Sequence, residues 1–333
     1  MKLLVFEYSS VCLDDNLVFE GFHMLRGLLN DLEHVSFFDT YFLIDEKLDV
    51  FSYENCKSIC LDCELFEWLD TYINQFDYCL FVAPEDNLIQ YRLTSLLEEK
   101  NIKILCPDSR ASFVCSSKYL TYNNIPDDIL KINTLKMKRD SVDLNKIEED
   151  FKYNFIIKPD DRTSSDLIYH ITNKDEFESV LNVYSDNNIN TILIQEYLSG
   201  ESVSVSVVCY EDDVNCISVN SQMIKSENNC LEYIGCTSPI EHDYKTELYD
   251  ISKRIIKEVP GLKGFVGIDY IIHDKKIYFV EINSRITTPF IILQEKCNEN
   301  LTENIIKTIH NKKTEKITFN GKGKFIKTNN IGK

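Results

Sequence analysis

No stretch of the 333 residues holds the ~18 uninterrupted apolar side chains that a membrane-crossing helix needs, so no membrane span is expected. The basic region, apolar core and small-residue cleavage site of an export signal are also missing, and the opening MKLLVFEYSS reads as a first strand. Positive charge is scarce: 36 Lys and Arg stand against 54 Asp and Glu, a formal net charge of −18. Binding a phosphate backbone needs clustered Lys and Arg, so no nucleic-acid partner is expected. The acidity is spread along the chain and reads as a solvated surface. No internal repeat is visible. What is present is an ordinary globular balance, 44% hydrophobic and 27% charged, in a chain long enough for more than one sizeable core.

Twelve cysteines without an export signal imply reduced thiols and a cytoplasmic protein. Cys56, Cys60 and Cys63 stand in CKSICLDC, a spacing that could ligate an iron–sulfur cluster. Their surroundings weigh against it, since they read as the end of a strand and the approach to a helix, with little glycine. Cys79, Cys106, Cys209 and Cys216 lie in apolar runs, where cysteine behaves as a small hydrophobe.

Residues 1–115 alternate strand and helix signals. KLLVFE is a short apolar run, residues 17–32 repeat apolar side chains at helical spacing, YCLFVA is a buried-strand run, residues 87–100 are helical, and KILC is another strand. Strands separated by helices imply a small α/β domain with a parallel sheet. Residues 116–150 hold one short helix signal, SSKYLTYNNI, then a charged stretch read as a connection. From about 151, FIIKP, TILIQEY, ESVSVSVVCY, NCISVNSQ, GFVGIDYII and IYFVEI are strands, with clear helices near 174–184 and 245–258 and a last one at LTENIIKTIHN. That mixture predicts an α+β domain over 116–315 with mostly antiparallel sheet. The Lys-, Asn- and Gly-rich residues 316–333 are expected to be loosely held.

Near the C-terminus GFVGIDYII and KIYFVEINSR flank HDKK. A three-residue loop over 274–276 would set Asp269 across from Glu281. Alternation then places Asp269, Glu281, Asn283 and Arg285 on one face, with Val266, Ile268, Tyr270, Val280 and Ile282 on the other. Two carboxylates facing each other repel, and a divalent cation between them would turn that repulsion into a site. Asp, Glu and Asn oxygens suit Mg2+. The same residues could instead face solvent on a one-sided sheet, with Arg285 neutralising Glu281.

Lys118 in SSKYLT, Lys158 at the end of FIIKP, QEYLSGES at 195–202, Asp269 in ID and Glu281–Asn283 in EIN occur in an order that resembles the ATP-grasp superfamily of carboxylate–amine ligases over roughly residues 115–310. The N-terminal segment is similar to the domain that precedes the grasp. The resemblance implies two lobes holding ATP between them, with a hinge near 195–200. It also implies that Lys118 and Lys158 contact the ATP phosphates, and that Gln195, Glu196, Tyr197 and Leu198 read the adenine edge. Glu201 would hold the ribose, Asp269, Glu281 and Asn283 would ligate Mg2+ (or Mn2+), and Arg285 would neutralise the transferred phosphate or the substrate carboxylate. Lys158 and Arg285 are the catalytic candidates. The substrates implied are small molecules, an amino-acid carboxylate and an amine, with a homodimer left open.

The opening KLLVFEYSS with EG-x-HML, the APED at 83–86, SSKYLTY, the SVSVVC and ISVNSQ pair and EINSRITT look like the archaeal tyramine–L-glutamate ligases of methanofuran biosynthesis. That resemblance implies an amide formed through an acyl phosphate. The alternatives are a ligase for another amino acid and amine, or a nucleotide-binding module without catalysis. Three departures bear on this. The loop KPDDRTSSDL after Lys158 has no glycine, where backbone amides usually approach phosphate. Its Asp160, Asp161 and Asp166 are expected to repel phosphate, with Arg162, Ser164 and Ser165 as side-chain substitutes in a lid over 160–166. Ser284 stands where the ligases commonly have proline, and Ser221 where they have arginine.

Overall fold

Apolar runs too short to be helices alternate with amphipathic segments at the N-terminal end, and they build a parallel sheet. The computed structural model describes residues 1–14, 17–48, 52–61, 63–162 and 167–327. In chain order the first elements are β1 (Lys2–Glu7), α1 (Tyr8–Cys12), α2 (Val18–Leu32), β2 (Asp39–Ile44), β3 (Cys56–Cys60), α3 (Leu65–Tyr72), β4 (Tyr78–Val82), α4 (Ile89–Glu99), β5 (Lys103–Ile104) and α5 (Ser109–Cys115). The strand order is β3-β2-β1-β4-β5, with every pair parallel. Period-2 alternation divides β1 between two cores. Leu3 and Val5 pack with Leu25, Leu28 and Leu29 of α2, while Leu4 and Phe6 pack with Trp68 and Leu69 of α3 and Leu93 and Leu97 of α4.

Cys56 is buried in the first of these cores, Cys60 is exposed, and Cys63 packs against the second. Among the described residues no three Cys, His, Asp or Glu side chains converge as a metal cluster. No described helix is long and apolar enough to cross a membrane.

The chain continues through α6 (Lys118–Asn124), β6 (Thr134–Lys138), α7 (Leu144–Phe151), β7 (Phe155–Pro159), β8 (Tyr169–Ile171), α8 (Lys174–Asp186), β9 (Thr191–Glu196), β10 (Glu201–Tyr210), β11 (Asp213–Glu227), β12 (Cys230–Ile240), α9 (Lys245–Lys257), β13 (Lys263–His273), β14 (Lys276–Asn283), α10 (Pro289–Lys296), α11 (Leu301–Asn311) and β15 (Gly323–Ile326). These strands form one ten-stranded antiparallel sheet in the order β14-β13-β10-β11-β12-β8-β7-β9-β6, with β15 added beside β12. Helix α8 covers one end, where Phe177 and Tyr184 meet Phe155, Ile157, Ile192 and Ile194. Helix α9 covers the other, where Leu248, Ile255 and Ile256 meet Val205, Val207, Val266 and Ile268. On the opposite face, Ser202 and Ser204 of β10 and Asp269 of β13 border the site described below.

Several elements depart from the sequence reading. The segment read as a connection contains β6 and α7. TLKMK is a charged edge strand, and LNKIEEDF offers Ile147 and Phe151 to the core, capped by the Asp143 side chain. Helix α10 was not expected, because Phe290, Ile291, Ile292 and Leu293 are all buried and leave no helical period to read. Part of the tail expected to be loosely held is folded: β15 pairs Ile326 with Gly235 and Phe325 with Cys236. Gly235 has φ +146, and a Cβ there would collide with the Phe325 carbonyl, so glycine is what lets this strand dock. Residues 328–333 lie outside the described residues.

Candidate active site

β13 and β14 form the carboxylate hairpin. Asp269 pairs with Glu281 and Gly267 with Asn283. The expected pairing is present, but the expected loop is not. His273 pairs with Lys276, leaving Asp274 and Lys275 as a two-residue turn, with φ 48 and 62. Left-handed conformation at both positions is that of the hairpin turn whose twist matches the strands. The register then shifts between Asp269 and Tyr270, with Tyr270 opposite Phe279 and Val280 as the extra residue of a bulge. The bulge restores the Asp269–Glu281 pair and turns Val280 out of the core. Val280, assigned by alternation to the buried face, lines the cavity instead, while Ile277, Phe279 and Ile282 remain in the core.

The cavity beside this hairpin has a volume of about 390 Å3, within the roughly 300–1,000 Å3 typical of small-molecule sites. Of the residues singled out in the sequence, Lys158, Gln195, Glu196, Tyr197, Leu198, Asp269, Glu281, Asn283 and Arg285 line it. Lys118 approaches from the other side of Glu281, with Nζ 2.9 Å from Oε2. Glu201 is not brought in. Ser202 and Ser204 face the cavity, so strand alternation turns Glu201 away, and its carboxylate meets His242 Nε2 at 3.2 Å.

The segment expected to be the hinge connects β9 to β10. Gln195 is buried and donates through Nε2 to Thr134 Oγ1 at 2.9 Å. The Tyr197 ring stacks on His170, with centroids 3.8 Å apart. The Leu198 N–H has no partner among the described residues. Ile132, Ile156, Leu198 and Val280 make this part of the cavity apolar. A Cβ on Gly200 would collide with the Ile272 carbonyl, so glycine is needed for the chain to turn into β10 so close to β13.

Each cation is held by a different device. Lys118 opens α6, whose N-cap Ser117 accepts the Leu120 N–H at 3.2 Å. Asp160 fixes that end. It accepts from Ser117 Oγ at 2.8 Å and from the Tyr119 N–H at 2.9 Å, and Lys136 Nζ lies 2.7 Å away. Asp160 therefore anchors Lys118 and is neutralised by Lys136, rather than standing free to repel phosphate. Residues 163–166 of the expected lid, including Ser164, Ser165 and Asp166, lie outside the described residues. The Arg162 carbonyl accepts from Lys118 Nζ at 2.7 Å.

Arg285 is held by Glu85, with Nε 2.8 Å from Oε2. The other Glu85 oxygen accepts the Ser284 N–H at 3.1 Å, and Gln90 bonds both the Ser284 hydroxyl and its carbonyl. Proline at 284 would remove that N–H, so serine here is part of the clamp between the N-terminal domain and the end of β14. The Arg285 Nη2 edge makes no hydrogen bond among the described residues.

Lys158 is 4% exposed and forms no ion pair among the described residues. Burial pulls its ammonium down to about 8, aided by the nearby Lys118 charge and opposed by Glu281. At Lys118 burial also lowers the pKa, but Glu281 more than reverses it. Burial pushes both hairpin carboxyls up. At Asp269 the Glu281 charge pushes further, whereas Lys118 and then Lys158 hold Glu281 below the usual carboxylate range. Asn283 Nδ2 donates to Asp269 Oδ2 at 3.2 Å. Two opposed, half-buried carboxylates beside an amide oxygen are a hard-oxygen donor set that fits a small divalent cation.

The sequence reading passed over Glu85 and Gln90, and over three residues that line the cavity, Glu20, Lys327 and Gln222, the last bonded to the Asp269 side chain. APED and EG-x-HML carried Glu85 and Glu20 only as marks of resemblance, and Lys327 lies in the segment read as a loose tail.

A cavity between the partly apolar β9–β10 connection and a hairpin of carboxylates flanked by Lys118, Lys158 and Arg285 matches the layout expected of the ATP-grasp fold, and residues 115–289 match the family model described as an ATP-grasp domain. The chain belongs to the ATP-grasp family and is a ligase of that family. It is 32% identical over 333 residues, 97% of this chain and 98% of the relative, to the tyramine–L-glutamate ligase of Methanocaldococcus fervens. It is 29% identical to that of Methanocaldococcus jannaschii, over 96% of this chain and 92% of the relative. Among solved structures, an ATP-grasp superfamily protein from Archaeoglobus fulgidus superposes with a TM-score of 0.69 at 24% identity. That match covers 92% of this chain and 88% of that one, and it speaks to the fold.

Proposed function

We propose that the chain phosphorylates the γ-carboxylate of L-glutamate with ATP and passes the acyl group to the amine of tyramine. The observation that carries the phosphoryl-transfer reading is Lys158, a buried ammonium that forms no ion pair among the described residues, whereas Lys118, Arg285 and Lys327 around the same cavity are each tethered to a carboxylate. An anion placed there would satisfy Lys158 and meet the open edge of Arg285. The substrate reading is supported by relatives of that activity that align with almost the whole chain.

The hinge at Gln195–Leu198 receives the adenine, with the Leu198 N–H as a donor to its edge. Lys118 and Lys158 face the phosphates, and Arg285 faces the transferred phosphoryl group. The carboxylate attacks the γ-phosphate in line, giving ADP and an acyl phosphate. The amine then attacks the acyl carbonyl, giving an amide, inorganic phosphate and a proton. The chain's contribution is positioning and charge neutralisation by groups that are already dehydrated. Mg2+ held by Asp269, Glu281 and Asn283 would supply Lewis-acid neutralisation of the phosphate oxygens.

The test is ADP release with ATP, Mg2+, L-glutamate and tyramine, omitting each in turn. Release should require all four and be lost in Glu281→Gln with the far-UV circular dichroism unchanged. Near-normal release from that variant would overturn the hairpin assignment. Release indifferent to glutamate or tyramine would overturn that substrate, and ATP binding without release under any substrate pair would make the chain a binding module.

A further inference from the structure

The cavity has a charged lining that neither the hairpin nor the hinge accounts for. Lys327 follows β15, and its N–H donates to the Ile234 carbonyl at 2.9 Å, which fixes its backbone beside β12. Its side chain reaches α2. Nζ lies 2.7 Å from Glu20 Oε2 and 5.2 Å from the centre of the Tyr233 ring. Glu20 also accepts from the Thr288 hydroxyl. Lys327, Glu20, Tyr233 and Thr288 line the same cavity as Arg285. The two charged side chains are only 18% and 11% exposed, and both lie outside the residues 115–289 that match the family.

A mostly buried ion pair is a poor way to stabilise a fold, because dehydrating both charges offsets most of their attraction. Apolar side chains would hold α2 to the C-terminal strand equally well. A cation and an anion kept side by side in a substrate cavity do match one kind of ligand, the zwitterionic head of an amino acid. Lys327 complements a carboxylate, and Glu20 stands beside it for the neighbouring ammonium.

We infer that Lys327 binds the α-carboxylate of the amino-acid substrate. The inference rests on the ligase reading above and deepens it. Glutamate carries two carboxylates, and only one can be phosphorylated. A cation that captures the α-carboxylate leaves the γ-carboxylate for Lys158 and Arg285, so Lys327 sets which of the two reacts. The C-terminal strand thereby becomes a wall of the substrate site.

The test compares L-glutamate with 4-aminobutyrate, which keeps the reacting carboxylate and lacks the α-carboxylate. Steady-state ADP release is measured for the wild type, Lys327→Met and Lys327→Arg. Loss of a charge-assisted hydrogen bond should raise the KM for glutamate in Lys327→Met by roughly tenfold or more. Because Lys327→Met also leaves Glu20 without its cation, each variant is read by the ratio of kcat/KM for L-glutamate to that for 4-aminobutyrate, which should fall roughly tenfold in Lys327→Met and be largely kept in Lys327→Arg. Equal losses on both substrates, or no loss on either, would overturn the inference, since the first is the signature of a purely structural lysine. If the wild type responds to a different amino acid, the glutamate reading fails. The same comparison, with that amino acid and its decarboxylated analogue, then decides Lys327 independently.

Discussion

Glu85 joins the two halves of the molecule through Arg285, and replacing it with glutamine probes that joint with almost no change of volume. Glu85 is 4% exposed and the Arg285 side chain 14%. One carboxylate oxygen takes Arg285 Nε at 2.8 Å and the other takes the Ser284 N–H at 3.1 Å. Burial pulls the Arg285 pKa down, but Glu85 raises it by more, so the guanidinium depends on this carboxylate for its charge balance. Glutamine can satisfy one donor with its oxygen, and it then presents N–H groups to the other. A buried guanidinium left without its anion costs about 3–5 kcal/mol, and the surviving hydrogen bond places Glu85→Gln near the lower end, about 3 kcal/mol. Arg285→Met should cost a similar amount. The double variant removes both charges and should cost less than the sum, with a coupling of about 2 kcal/mol. Trp68, the single tryptophan, is buried in the same N-terminal domain as Glu85, so urea unfolding followed by its fluorescence reads these values. Glu85→Gln within 1 kcal/mol of wild type, or additive single costs, would refute the reasoning.

Lys158 and Ser284 give two further predictions. Burial lowers the Lys158 pKa to about 8, and a bound polyphosphate should raise it, so ATP binding without metal should take up roughly half a proton at pH 8 and much less at pH 6.5. Calorimetry in buffers of different ionisation enthalpy measures this, and no uptake at pH 8 would contradict the placement of phosphate at Lys158. The sign for the free protein is the reverse of that for a paired lysine. The stability linked to the depressed pKa is present above the unfolded value of 10.5 and is lost as pH falls through about 8, so Lys158→Met should flatten the pH dependence in that window. Ser284→Pro removes the N–H that Glu85 accepts and the hydroxyl that bonds Gln90, and should destabilise by about 1–3 kcal/mol in the same urea assay. A neutral result would mean that the clamp does not depend on Ser284.

The sequence by itself determined the local elements and the grouping of the hairpin's polar side chains. Strand and helix periods are local properties, so the parallel N-terminal sheet, α2, α4, α8, α9 and α11 were legible. Asp269, Glu281, Asn283 and Arg285 were legible because polar residues on a buried strand contradict their surroundings. The Asp269–Glu281 pair was reached through a three-residue loop, whereas a two-residue turn and a bulge at Val280 produce it. Turn length and bulges are set by twist and packing, which alternation alone does not reveal. Elements with no period of their own stayed hidden: α10 opens on five consecutive buried residues, Pro289–Leu293, and β15 is a strand only because β12 offers it an edge at Gly235. Tertiary structure alone decided which groups meet. Glu85 reaches Arg285 from 200 residues away, Asp160 serves as the anchor of Lys118, Glu201 turns away from the cavity, and Lys327 returns from the C-terminal end to Glu20. A charge has no sequence period, and its partner is fixed by where the packed sheets and helices bring it, so the cations of the site acquired their partners only when the chain folded.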